Sequence, residues 1–99
     1  MTDRTISILI AEDDPLLRNF LTEVLHQQPD LQIVGCHASG REVLAALAAP
    51  GEPLPEVLLL DLHLRELSGW KVLEALAERP AAPRVLVLSG DEDPETMLQ

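Results

Sequence analysis

Three short apolar runs place the strongest limit on how this chain can fold. They cover residues 6–11, 57–60 and 85–88, and none of them alternates polar with apolar side chains. A strand that is apolar on both faces belongs in the middle of a parallel sheet with helices on each side. Residues 31–36 form a fourth and weaker strand candidate. The runs therefore predict a buried parallel sheet.

The segments between these runs carry helical patterns. From Leu16 to Leu25 apolar residues recur every three or four positions, which predicts a helix with one apolar stripe. Each predicted helix also has a start signal typical of N-termini. These signals are Asp14 with Pro15, the capping box at 39–42, Ser68, and Asp93 with Pro94. The order β-α-β-α-β-α-β-α predicts one doubly wound, three-layer α/β domain over residues 1–99.

The charge balance excludes several kinds of partner. The chain carries 17 acidic residues against 7 basic ones, a net charge of -10. Such a surface is unsuited to nucleic acid or anionic lipid, both of which require clustered cations.

Two further features bear on the location of the protein. No apolar run is long enough to span a membrane. A single cysteine, Cys36, suits a reducing compartment and is expected in the core as a small hydrophobe. We therefore expect a cytoplasmic location.

Acidic and hydroxyl side chains follow the predicted strands. Glu12 and Asp13 come after the first strand, Asp61 after the third and Ser89 after the fourth. In open parallel sheets, ligands bind beyond the carboxyl ends of the strands. If the first and third strands are neighbours, Asp13 and Asp61 face each other across one crevice, with Glu12 nearby.

Three carboxylates in one crevice repel each other unless one takes up a proton or a cation joins them. Oxygen ligands at an open site favour Mg²⁺. The ion would allow Asp61 to attack a phosphoryl group, and Ser89 could donate a hydrogen bond to a phosphoryl oxygen. Taken singly, these residues also fit helix capping, charge at a helix N-terminus, or exposed turns.

Three other chemistries fit the same residues poorly. A dinucleotide site needs a glycine-rich turn where this chain has Glu12, Asp13 and Asp14. A serine hydrolase needs a nucleophile elbow, and Ser89 lacks the glycine two residues before it. An Asp-dependent phosphohydrolase carries Asp-x-Asp, whereas His63 follows Asp61 at that spacing.

With these residues placed, the chain resembles the receiver domain of bacterial two-component response regulators. Residues 8–18 are similar to the family's first strand, acid pair and first helix. Residues 55–62 resemble the strand that ends in the phosphorylated aspartate, and residues 84–90 the strand that ends in the switch Ser or Thr. The resemblance implies a flavodoxin-like (CheY-like) sheet in the order 2-1-3-4-5, with the fifth strand and helix missing from this chain.

The resemblance also implies a phosphorelay function. Asp61 would accept a phosphoryl group from a sensor histidine kinase or phosphotransfer protein. Glu12, Asp13, Asp61 and the backbone carbonyl of His63 would hold Mg²⁺, and Ser89 would act as the switch hydroxyl. Such a domain is a signalling phosphoprotein and not an enzyme acting on a separate metabolite. The alternative is an interaction module with the same fold that works without phosphorylation.

Two departures from the family bear on these expectations. Arg65 stands four residues after Asp61, where the family usually has proline. The family also has a lysine after its fifth strand, whereas the only lysine here, Lys71, lies on the predicted third helix. Without a fifth strand, the fourth becomes an exposed apolar edge and the first helix loses a neighbour. We therefore expect either a homodimer through this truncated edge or a piece of a longer protein.

Overall fold

The computed structural model describes residues 5–49, 51 and 53–88. The predicted strands and the first three predicted helices are confirmed. In chain order they are β1 (Ile6–Ala11), α1 (Pro15–His26), β2 (Leu31–His37), α2 (Gly40–Ala48), β3 (Val57–Asp61), α3 (Gly69–Ala77) and β4 (Arg84–Leu88). The helix expected to start near Asp93 lies outside the described residues. None of the described helices has the length and apolar character needed to cross a bilayer.

The four strands form one sheet in the order β2-β1-β3-β4. All three strand pairs are parallel, so every strand ends at the same edge of the sheet. This is the flavodoxin-like arrangement, and it makes β1 and β3 neighbours. The fifth strand and helix of that fold are absent from the described residues.

Each described helix begins at a capped residue in the loop that follows a strand. Asp14 accepts a hydrogen bond from the Leu16 amide (2.9 Å), Ser39 from the Glu42 amide (3.1 Å) and Ser68 from the Lys71 amide (3.4 Å). These caps satisfy amides that have no partner within the helix. They also fix the turns at the carboxyl edge of the sheet.

The core lies between the sheet and the pair of helices α2 and α3. Its members are buried aliphatic side chains from β1, β3 and the two helices. They include Leu9, Ala11, Val43, Leu47, Leu58, Leu60, Val72 and Leu76. Because strand residues alternate between the two faces of a sheet, Ile8 and Ile10 point to the opposite face, where α1 lies.

The face that carries α1 is incompletely covered. No residue of α1 is buried, and Leu16, Phe20 and Val24 of its apolar stripe are exposed. On β4, Leu86 and Val87 are also exposed, because β3 is the only neighbour of β4 among the described strands. The exposure expected for the first helix and the fourth strand is therefore confirmed.

The expected burial of Cys36 is wrong. The thiol is exposed, and its Sγ lies 3.6 Å from the hydroxyl oxygen of Thr22. The expectation rested on the usual behaviour of a free cysteine as a small buried hydrophobe. However, β2 is the outer strand next to β1, and its residues alternate between partly buried and exposed. Cys36 occupies one of the exposed positions.

Candidate functional site

Three carboxylates converge at the carboxyl edge of the sheet. Glu12 and Asp13 follow directly after β1, and Asp61 is the last residue of β3. One carboxylate oxygen from each residue lies within 4.8 Å of the others. Glu12 is 3% exposed and Asp61 is 7% exposed, so two of the three acids are buried at the floor of the site.

Hydrogen bonds from the first turn of α1 hold Glu12 in place. The Asp14 amide donates to Oε2 of Glu12 (3.0 Å), and Nη1 of Arg18 donates to the Glu12 carbonyl (3.0 Å). The Glu12 amide donates to the carbonyl of His37 at the end of β2 (3.0 Å). The loop that carries the acid pair is thus fixed to the helix on one side and to the sheet on the other.

Asp61 is held by the turn that follows β3. The His63 amide donates to Oδ1 of Asp61 (3.0 Å), and the Gly69 amide donates to the Leu62 carbonyl (3.1 Å). A Cβ atom at Gly69 would overlap the carbonyl of Asp61. The start of α3 therefore packs directly against the backbone of Asp61, at a distance that only glycine allows.

The site strongly perturbs one of its acids. Burial raises the pKa of Glu12 from 4.5 to about 7, and the negative charges of Asp61 and Asp13 act in the same direction. The hydrogen bond from the Asp14 amide opposes this shift but does not cancel it. Glu12 therefore retains a proton close to neutral pH unless a cation compensates the charge of the cluster.

The cluster fits a divalent ion such as Mg²⁺. Its donors are carboxylate oxygens, the ligand type that this ion prefers. With Mg–O distances near 2.1 Å, oxygens on opposite sides of the ion lie about 4.2 Å apart. The three carboxylate oxygens already lie within 4.8 Å of one another, which is close to that separation.

A cleft opens beside the carboxylates. It has a volume of about 310 Å³ and is lined by acidic residues together with aliphatic side chains from α1 and β4. Its lining residues are Glu12, Asp14, Leu17, Leu21, Asp61, His63 and Leu88. Asp61 is thus accessible from the cleft although most of its surface is buried.

The remaining predicted residues have different outcomes. His63 lies in the site, where its amide contacts Asp61, and the ligand role of its carbonyl stays a prediction. Ser89 lies outside the described residues, directly after Leu88.

Two contacts at the site were not predicted from the sequence. One is the hydrogen bond from Arg18 to the Glu12 carbonyl. The other is an ion pair in which Nε of Arg65 lies 4.0 Å from Oδ2 of Asp13. A basic residue four positions after Asp61 was the available signal for that pair.

Comparison with known proteins identifies the family. Residues 8–99 match the response regulator receiver domain. The chain is 30% identical, over 90% of its length, to the protein-glutamate methylesterase/protein-glutamine glutaminase of Nitrosospira multiformis. That match covers 24% of the methylesterase. The chain thus spans about a quarter of the length of the curated relatives it matches.

Solved structures agree with this match. The response regulator domain of Thermotoga maritima CheB superposes with a TM-score of 0.76 at 26% identity, covering 95% of this chain and 69% of that one. The Mn²⁺-bound form of the response regulator Rcp1 gives a TM-score of 0.81 at 26% identity, covering 94% and 71%. Fold, sequence match and strand-end acids together establish that this chain belongs to the response regulator receiver domain family.

Proposed function

We propose that this chain is the phosphoacceptor domain of a two-component phosphorelay and that Asp61 is its site of phosphorylation. One observation carries the proposal. In a chain of the receiver family, the carboxylate of Asp61 borders an open cleft and lies beside Glu12 and Asp13. A buried nucleophile next to a cation-binding cluster suits phosphoryl transfer, in which positioning and charge stabilisation supply most of the catalysis.

In the proposed transfer, a carboxylate oxygen of Asp61 attacks the phosphorus of a phosphohistidine. A P–O bond forms as the P–N bond breaks, and the departing imidazole nitrogen keeps the electron pair. The His63 amide, which donates to Oδ1 of Asp61, holds the plane of the carboxylate during the attack. The buried position of Asp61 limits the access of other acceptors to the same phosphoryl group.

The ion suited to this site is Mg²⁺. Glu12, Asp13, Asp61 and the backbone carbonyl of His63 would hold it. When bound, it reduces the repulsion between the carboxylate and the phosphoryl oxygens. We further propose that Ser89 donates a hydrogen bond to a phosphoryl oxygen and biases the domain towards its active conformation.

The partner that fits this chemistry is a sensor histidine kinase or a phosphotransfer protein, and the compartment is the cytoplasm. We propose that the chain is a signalling module and not an enzyme acting on a separate metabolite. The methylesterase relatives give no reason to assign esterase activity, since this chain matches only about a quarter of their length.

The test is phosphorylation by a small-molecule phosphodonor in the presence of Mg²⁺, followed by intact-protein mass spectrometry. We expect the mass of one phosphoryl group to be added to the native chain and none to Asp61→Asn. Asp30→Asn is the matched control, because Asp30 is an exposed residue that precedes β2, at the amino ends of the strands and away from the site. Normal phosphorylation of Asp61→Asn would remove Asp61 from the mechanism.

A second candidate function is an interaction module that works without phosphorylation. The exposed apolar side chains of α1 and β4, among them Leu16, Phe20 and Leu86, favour it, because exposed apolar patches mark association surfaces. The occupant we propose for this surface is a second copy of the chain, which forms a homodimer through the β4 edge. Titration with Mg²⁺ separates the two functions, since a module that has lost phosphorylation has no need of the ion.

A further inference from the structure

A guanidinium group lies beside the proposed metal site. Nε of Arg65 is 4.0 Å from Oδ2 of Asp13. Within residues 5–88, apart from the two undescribed positions 50 and 52, no other ion pair involves Glu12, Asp13 or Asp61. Among the described residues, the cation paired with this acidic cluster thus comes from the loop between β3 and α3.

The backbone of Arg65 is anchored although its side chain is exposed. The Arg65 carbonyl accepts hydrogen bonds from the amides of Gly40 (3.3 Å) and Leu67 (2.6 Å), and Arg65 forms an isolated parallel bridge with Ser39. The next residue, Glu66, has a left-handed backbone (φ 63°). The loop therefore presents the arginine from a fixed point beside Asp13.

The geometry of the ion pair is that of a weak and replaceable contact. The Arg65 side chain is 70% exposed, and an exposed pair at this distance contributes little to stability. A divalent ion bound to the same carboxylate would carry twice the charge and would repel the guanidinium. Asp13 therefore has two alternative cations, one from the protein and one from solution.

We infer that Arg65 competes with the divalent ion for Asp13 and thereby sets the metal affinity of the site. The inference rests on the proposed function, because it assumes that the carboxylates bind a metal ion. Arg65 moves towards solvent when the ion binds and returns to Asp13 when the ion leaves. Arg65 is thus a positioning residue that acts on the metal site through Asp13.

The test compares Mg²⁺ binding by isothermal titration calorimetry in the native chain, Arg65→Gln, Arg65→Lys and Arg84→Gln. Removal of the Arg65 charge should tighten binding by roughly threefold to tenfold, as expected for a unit charge a few ångströms from a divalent ion near the protein surface. Arg65→Lys keeps the charge and should bind Mg²⁺ within about twofold of the native chain. Arg84→Gln removes the same charge at the start of β4, at the amino ends of the strands, and should leave the affinity for Mg²⁺ unchanged.

The salt dependence of Mg²⁺ binding is a second readout, because a purely structural role of Arg65 would not make the effect of its substitution depend on ionic strength. Salt screens the competing charge, so the advantage of Arg65→Gln over the native chain should shrink as salt is added. If the native chain binds Mg²⁺ and Arg65→Gln binds the ion equally well or more weakly, the inference is overturned and the proposed function remains intact. Absence of Mg²⁺ binding in both proteins would overturn both.

Discussion

At the residue scale, three acids of similar chemistry differ in their surroundings. Glu12 is buried and shares its cavity with the charge of Asp61, whereas Asp13 is only half-buried and faces Arg65. Burial and like charge make ionisation of Glu12 costly, which explains the raised pKa. In the metal-free protein, Glu12 is therefore the acid of the cluster that holds its proton to the highest pH.

The raised pKa predicts how stability changes with pH in the absence of metal. Between its unfolded value of 4.5 and its folded value of about 7, Glu12 holds more proton in the folded state than in the unfolded state. Its contribution is therefore fully present below pH 4.5 and is lost as pH rises towards 7. We expect about 1–3 kcal/mol of unfolding free energy to be lost across this window, measured by urea denaturation in the presence of a chelator.

Glu12→Gln is the control for this prediction, because glutamine retains the shape of the protonated acid but does not titrate. The difference in unfolding free energy between the native chain and this variant removes contributions from groups that both proteins share. That difference should depend on pH between about 5 and 7. A difference that is constant over this range would show that Glu12 does not retain its proton at the site.

At the element scale, the junction between β3 and α3 links the fold to the site. The carbonyl of Asp61 lies where a Cβ at Gly69 would stand, and the Ser68 side chain caps the helix at the same point. A change that lifts the start of α3 would therefore also move the backbone that carries the proposed phosphoacceptor. Helix packing and site geometry depend on one glycine.

Gly69→Ala separates this steric requirement from helix propensity. Propensity alone favours alanine over glycine in a helix by up to about 1 kcal/mol, whereas the overlap with the Asp61 carbonyl predicts a loss of about 1–3 kcal/mol. Thermal or urea denaturation measures the sign. Gly35→Ala is the matched control, because its Cβ would meet the end of the Leu9 side chain at 2.8 Å and not a backbone atom. Greater stability of Gly69→Ala would contradict the close packing described here.

The elements themselves could be predicted from the sequence because their signals are local. Continuous apolar runs and capping residues, such as Ser39 and Ser68, depend only on neighbours within a few positions. The adjacency of β1 and β3 followed from the family resemblance. A retained proton in the cluster was one of two outcomes predicted from the sequence, but its location on Glu12, the exposure of Cys36 and the pairing of Arg65 with Asp13 were not predicted. Each depends on what the folded chain places beside that residue, which no local pattern encodes.

At the scale of the whole molecule, the two faces of the sheet are unequally covered. The α2–α3 face encloses the buried aliphatic cluster, while α1 has no buried residue on the other face. Along β4, Leu86 shares a face with Ile10 and Leu59, and Val87 shares the opposite face with Leu60. Apolar surface is therefore exposed on both sides of the β4 edge, which gives the proposed homodimer its contact area.

A strand edge with apolar side chains is a template for pairing with a second copy, and a two-fold axis would satisfy both edges at once. Leu86 is 54% exposed, so Leu86→Lys should change the unfolding free energy by no more than about 0.5 kcal/mol, yet it would place charge in the proposed interface. We expect light scattering at micromolar concentration to give twice the chain mass for the native protein and the chain mass for Leu86→Lys.

Val34→Lys is the matched control, since Val34 is 50% exposed on β2, the strand at the other side of the described sheet, and should leave the dimer intact. Because each copy carries a net charge of -10, added salt should strengthen association by screening the repulsion. A native chain that remains monomeric at all salt concentrations would overturn the dimer and leave the phosphoacceptor site untouched.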